Sequence, residues 1–199
     1  MSRQLVLFLE EPSASDFLQG LLPRLLPAEI TIRFIVFDGK QDLEKQLPRK
    51  LRGWLEDADC RFVVLRDRDA GDCRVIKNRL SGLCQASGKE GVLVRIACRE
   101  LESWHLGDLA AVDQVFQTKW GSSQKKRHYR NPDELDNPHQ VLCRLVPAYQ
   151  KISGSRELGK VMDPERNVSP SFQVFLKGIY NMLDLESPRS EQSPDRNGP

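Results

Sequence analysis

The chain has 199 residues, 39% hydrophobic and 29% charged, enough for one domain with an appendage. A formal net charge of +2 is too near neutrality for a protein that binds nucleic acid over its whole surface, so such contact must come from local basic patches. No apolar run approaches the ~18 residues of a membrane-spanning helix, and the N-terminus lacks the small-residue cleavage site of a signal peptide.

Residues 4–9 form a continuous apolar run, as expected of a strand buried on both faces. Residues 12–16 supply turn and cap residues, and Phe17, Leu18, Leu21, Leu22, Leu25 and Leu26 then recur at helical spacing across Pro23. Residues 29–37 are rich in β-branched and aromatic side chains and stop at Asp38-Gly39, a turn signal. Leu43, Leu47, Leu51 and Leu55 mark one face of a second helix, bent near Pro48. Residues 61–65 read as a third strand. Val75, Ile76, Leu80, Leu83 and Cys84 mark a third helical stripe, and residues 92–97 a fourth strand. This alternation predicts a parallel four-stranded α/β sheet flanked by helices, with right-handed crossovers.

Beyond Glu100 the pattern changes. Residues 101–116 read as helical, 118–131 as polar and basic, and 134–149 and 171–183 as two further helices. The expected organisation is an α/β domain over 1–116, a C-terminal helical extension over 117–184 packed on it, and a disordered tail over 185–199, where almost nothing can be buried. The five cysteines are odd in number and form no CxxC pair, so free thiols in a reducing cytoplasm are expected.

Three acidic clusters follow predicted strands: Glu10 and Glu11, then Asp67, Asp69 and Asp72, then Glu100 and Glu102. In a parallel sheet the carboxyl ends of the strands share one crevice. Two unit charges about 4 Å apart interact by roughly 4 kcal/mol at an effective dielectric of ~20, so gathered carboxylates call for a cation among them. Mg2+ or Mn2+, with oxygen ligands, is the simplest choice. Each cluster also has an ordinary explanation. Glu10 and Glu11 would suit a helix N-terminus, Asp69 or Asp72 would cap the third helix, and Glu100 and Glu102 would be solvated. Together they favour a metal site, because alternation along a strand would send Asp67 and Asp69 to one side.

The segments Leu7-Phe8-Leu9-Glu10-Glu11-Pro12-Ser13 and Leu65-Arg66-Asp67-Arg68-Asp69 resemble the Toprim domain of topoisomerases, primases and overcoming-lysogenization-defect nucleases. More closely, Phe37-Asp38-Gly39-Lys40, Val64-Leu65-Arg66-Asp67-Arg68-Asp69, the run from Arg95 to Trp104 and the run from Arg166 to Phe172 resemble a Toprim-like bacterial family known as domain of unknown function 4276. The resemblance covers roughly residues 3–184. It implies Glu10 as general acid-base or metal ligand, Asp67 and Asp69 as the magnesium-holding pair, and Glu102, ahead of Glu100, as the further acid of the nuclease branch. Where many Toprim domains have glycine after the glutamate, this chain has Glu11, an added negative charge that could help hold a second metal.

Magnesium keeps several waters and needs few carboxylates, and a glutamate beside it can move a proton when its site raises its pKa. Lys40, in the turn after the second strand, is placed to touch a phosphate or to pair with Asp67. Lys125, Lys126, Arg127 and Arg130, interleaved with aromatic residues, are the most concentrated cations and the candidate nucleic-acid contact, although a solvated loop has the same composition. Trp104 reads as a core anchor, Ser169 as a helix cap, and His105, His128 and His139 as packing or surface residues. No Walker A loop or dinucleotide fingerprint occurs.

The expectation is a magnesium-dependent nuclease or related phosphodiester-cleaving enzyme acting on nucleic acid, DNA first. The resemblance implies a role in bacterial defence or genome maintenance beside a partner ATPase. The alternatives are a non-catalytic module docking on such an ATPase, and a small-nucleotide phosphohydrolase.

Overall fold

The computed structural model describes residues 3–55 and 59–186. Strands β1 (Gln4–Leu9), β2 (Thr31–Val36), β3 (Cys60–Asp67) and β4 (Leu93–Ala97) form one parallel sheet in the order β2-β1-β3-β4. The two central strands are buried on both faces, which is why they read as unbroken apolar runs. Leu5, Leu7 and Leu9 enter one core, and Val6 and Phe8 enter the other.

Helices α1 (Pro12–Leu25), α2 (Gly39–Arg52) and α3 (Cys73–Ala86) follow the first three strands. α2 and α3 cover one face, where Leu43, Leu47, Leu51, Ile76 and Leu80 meet Val6, Phe8, Phe62 and Val64. Leu55 departs from its expected stripe. The helix ends at Gly53, and Leu55, beyond that cap, is 94% exposed.

The other face is covered by α1 and by the C-terminal half of the chain. The expected helix over 101–116 is two helices, α4 (Glu102–Leu106) and α5 (Leu109–Phe116). Asp108 starts the second by accepting from the Ala111 amide at 3.1 Å. At Gly107 a Cβ would lie 2.1 Å from Asn167 Oδ1, so the chain turns where only glycine fits. The expected helix over 134–149 is shorter, α6 (Pro138–Leu145), and a helix not anticipated, α7 (Lys151–Val161), precedes α8 (Pro170–Met182).

α7 lies along α1, held there by close backbone approach. A Cβ at Gly159 would sit 2.1 Å from Phe17 O, and one at Gly20 would sit 2.9 Å from the Gly159 carbonyl carbon. α8 packs on β4. Trp104 is fully buried among Phe17, Phe172 and Phe175, and its Nε1 donates to Ser171 Oγ at 2.8 Å. It is the core anchor its neighbours suggested. Burial of such a ring contributes on the order of 3 kcal/mol. Of the expected disordered tail, residues 187–199 lie outside the described residues. Leu185 packs against the core, and its amide donates to Tyr180 O at 2.9 Å.

Candidate functional site

The registers of β1, β3 and β4 decide which acids meet. Leu9 is level with Leu65, and Asp67 with Ala97. Glu10, just past β1, therefore stands beside Asp67, the last residue of β3, and its Oε2 accepts from the Asp67 amide at 3.1 Å. Arg66 Nε lies 3.8 Å from the same oxygen, while Arg66 Nη1 reaches Glu44 at 2.6 Å. Loss of water on burial is the largest influence on Glu10. It raises the carboxyl above the usual glutamate range, with Asp69 and Glu11 adding to the rise and the Asp67 amide and Arg66 opposing it.

The Asp67 carboxylate receives no hydrogen bond among the described residues. Desolvation pushes its pKa well up, and the charges of Glu11, Glu10 and Glu102 push the same way. One cation opposes them. Lys151, at the first position of α7, places Nζ 2.7 Å from Glu11 Oε2. Burial pulls the Lys151 ammonium down, but the Glu11 hydrogen bond and the charges of Glu102, Glu11 and Asp67 outweigh it, so its pKa lies above the usual lysine value.

Glu102 is fully buried in the first turn of α4. Its Oε1 faces His139 Nδ1 at 3.0 Å and accepts from the Tyr149 hydroxyl at 3.3 Å. Its Oε2 is buried with no hydrogen-bond partner among the described residues. Tyr149 also lies 3.3 Å from His105 Nδ1. Burial, aided by Lys151, drives the His105 pKa down to about 3 and keeps its ring neutral. His139 therefore meets the acidic edge, against the expectation of a packing or surface role, whereas His105 is a buried packing residue against Phe17 and Tyr149, as expected.

The remaining expected residues divide. Asp69 lies past the end of β3 in the left-handed region (φ 53°), so strand alternation no longer governs it. Its carboxylate pairs with Lys40 at 2.9 Å, and Lys40 thus meets Asp69 rather than Asp67. Asp72 caps α3, accepting from the Arg74 and Val75 amides at 2.8 and 3.0 Å. Glu100 accepts from the His139 amide at 2.8 Å, at the start of α6. Lys125, Lys126, Arg127 and Arg130 are exposed in the segment after a short 3-10 turn at Gly121–Ser123. The hydroxyls of the Ser169-Pro170-Ser171 phrase are engaged internally. Ser169 Oγ accepts from the Phe172 amide at 3.3 Å and donates to Asp133 at 2.6 Å.

The donor chemistry fits a hard divalent cation: several carboxylates, with one buried oxygen, Glu102 Oε2, left unpartnered. In this conformation no three acidic, histidine or cysteine side chains among the described residues stand together as a metal cage. Glu10, Asp67 and Asp69 gather at one edge without closing on one point. Lys40 and Lys151 take up the carboxylates of Asp69 and Glu11, and Arg66 flanks Glu10.

Sequence reasoning did not anticipate Lys151 or the roles of Tyr149 and His139. Lys151 carried one signal. A cation in the first turn of a helix opposes the macrodipole and needs an external anion, here Glu11. No helix among the described residues is long and apolar enough to cross a membrane.

Comparison with known proteins agrees with this architecture. The C-terminal region of the Burkholderia pseudomallei OLD protein is similar in fold, with a TM-score of 0.50 and 17% identity, covering 89% of this chain and 97% of that one. No curated protein matches the chain. The model of the family described as Domain of unknown function (DUF4276) matches residues 9–180, a span that contains the whole acidic edge from Glu10 to Lys151. The chain belongs to that family.

Proposed function

We propose that the protein is a metal-dependent enzyme cleaving phosphodiester bonds in nucleic acid, with DNA as the first substrate to test. The observation that carries the reading is Asp67, a carboxylate with no donor among the described residues, its pKa raised first by desolvation and then by the charges of Glu11, Glu10 and Glu102. A fold does not retain such repulsion for stability, whereas a site for cation and phosphate chemistry requires it.

Asp67 and Asp69 are assigned as the ligands of Mg2+ or Mn2+, with Glu10 and the unpartnered oxygen of Glu102 beside them. When bound, that cation would polarise a phosphoryl oxygen and make a bound water more acidic. Glu10, with its raised pKa, is assigned to hold and move the proton of the attacking or departing oxygen. Lys40 and Lys151 lie at the same edge, with a carboxylate partner each that a cation would displace, and either ammonium is then free for a phosphate. Lys125, Lys126, Arg127 and Arg130 are assigned to backbone contacts farther along the strand. In the same reading residues 1–116 carry the chemistry and 117–184 cover it, and a partner ATPase supplies any nucleotide-driven step.

The test is plasmid nicking in Mg2+ or Mn2+ by the wild type and by the Asp67→Ala, Asp69→Ala double variant. Cleavage by the wild type alone is expected. Equal cleavage by both, or by neither, overturns the reading, and the second outcome leaves a docking module.

A further inference from the structure

A groove beside the acids has no part in the chemistry proposed above. It runs along β4, the edge strand, between α3 and α8, with a volume of about 310 Å3. Val94, Ile96, Pro170 and Val174 supply apolar walls, and Val174 is 54% exposed. Arg74 and Lys77, both exposed on α3, form a cationic rim. Arg95 rises from the strand, donating through Nη1 to Val94 O at 3.0 Å and through Nε to Val174 O at 3.2 Å. Those two carbonyls hold its guanidinium as a fixed plane. Among the described residues no carboxylate stands at ion-pair distance from Arg74, Lys77 or Arg95. Asp133, the groove's one acidic wall residue, has its oxygens engaged by Ser169 Oγ at 2.6 Å and the Ser171 amide at 2.7 Å.

The groove is continuous with the acidic loop. Cys73 and Cys98 line it, and Cys73 directly follows Asp72. The Arg68 amide donates to Ala97 O at 3.0 Å and the Asp69 amide to Arg99 O at 2.8 Å, tying that loop to the end of β4.

Apolar walls, a fixed guanidinium plane and unpaired cations at the mouth match the three parts of a nucleotide. A base can lie on an arginine plane or aliphatic surface, and phosphates seek the cations. The volume sits at the lower end of small-molecule sites, room for one residue and too little for a duplex. We propose that this groove binds an unpaired nucleotide of a single-stranded nucleic acid, its base lying over the surface that Arg95 and Val174 form together and its flanking phosphates on Arg74 and Lys77. This deepens the reading of the acids as a phosphodiester-cleaving site and rests on it. The strand leaving the groove would pass onto Asp69 and Asp67.

The test is fluorescence anisotropy with a labelled oligothymidylate in EDTA, which separates binding from cleavage. The Asp67→Ala, Asp69→Ala variant should bind at least as tightly as wild type, because without metal those carboxylates repel phosphate and Asp69 occupies Lys40, and Arg74→Ala, Lys77→Ala should bind at least about tenfold more weakly. Loss of two phosphate contacts should also lower the slope of log affinity against log salt by about 1.4, at ~0.7 per contact on single strands. Bound oligonucleotide should slow alkylation of Cys73 and Cys98 by N-ethylmaleimide. Unchanged affinity of the rim variant, no binding by the wild type, or tighter rim-dependent binding of the matching duplex would each overturn the groove. If the rim variant loses binding while the acid variant still nicks plasmid, the groove stands and the catalytic reading fails.

Discussion

Two sets of polar side chains, one around Asp108 and Asn167 and the other on the acidic edge around Asp67 and Glu102, differ in how completely the protein satisfies them. In the run from Arg166 to Ser171, Asp108 accepts from the Ala111 and Asp163 amides and from two nitrogens of Arg166, all within 3.1 Å. Asn167 donates to Trp104 O at 2.8 Å and accepts from the Ser169 amide at 2.9 Å. On the acidic edge, Asp67 has no donor among the described residues and Glu102 Oε2 no partner. A saturated network fixes a fold. An unsaturated one of like charges stores a demand for something from outside, and that contrast separates structural polar residues from functional ones here.

The sharpest way to break the contrast is to neutralise one member of each set. Asp67→Asn should reduce metal-dependent cleavage at least about a hundredfold, beyond the 10–100-fold typical of groups that only orient metal ligands, measured by plasmid nicking. The same substitution should raise the melting temperature at neutral pH, because it removes repulsion and strands no donor. Asp108→Ala should do the reverse. It strands amide donors and leaves Arg166 with Asp163 alone, costing about 2–4 kcal/mol by denaturant unfolding, with the acidic edge untouched. A melting temperature that falls with Asp67→Asn as it does with Asp108→Ala would erase the distinction.

A smaller effect comes from pH. The folded pKa of Asp67 lies above its unfolded value, so the folded state binds the proton more tightly and stability rises as pH falls. The contribution is complete below the unfolded value near 3.8 and is lost as pH rises through the raised folded value. The melting-temperature gap between Asp67→Asn and wild type should therefore be widest at alkaline pH and narrow on acidification. Smallest of all, Leu55→Ser should change stability by less than about 0.5 kcal/mol. Leu51→Ala, one turn earlier on the expected stripe and fully buried, should cost about 2–5 kcal/mol.

The sheet was legible because two-sided burial writes itself into composition: residues 5–9 of β1 and 62–65 of β3 are unbroken apolar runs, and the acids come at or just past the ends of these strands. The order of Glu10, Asp67 and Glu102 along the chain was enough to bring them to one edge. α7 was illegible for a physical reason. It packs on α1 through buried Gly159, against Phe17, and closes on Tyr149 and Phe116 at buried Gly154, so closeness of backbones replaces the apolar stripe that periodicity detects. With the helix went Lys151, its first residue. Asp69 was misplaced in direction for another local reason, since it lies two residues past the end of β3 at positive φ, where strand alternation no longer holds. Leu55 looked like a fourth turn of a stripe because spacing carries no mark of where Gly53 stops the helix.

The central claim is that the carboxylates around Asp67 are kept in mutual repulsion to receive a divalent cation. Thermal unfolding of wild type and Asp67→Asn across a Mn2+ titration tests it directly, because a ligand that binds only the folded chain stabilises it by about 2.7 kcal/mol at a hundred times its Kd. The wild-type midpoint should climb with Mn2+ while that of Asp67→Asn stays nearly flat. Equal climbs, or none in the wild type at millimolar Mn2+, would contradict the account.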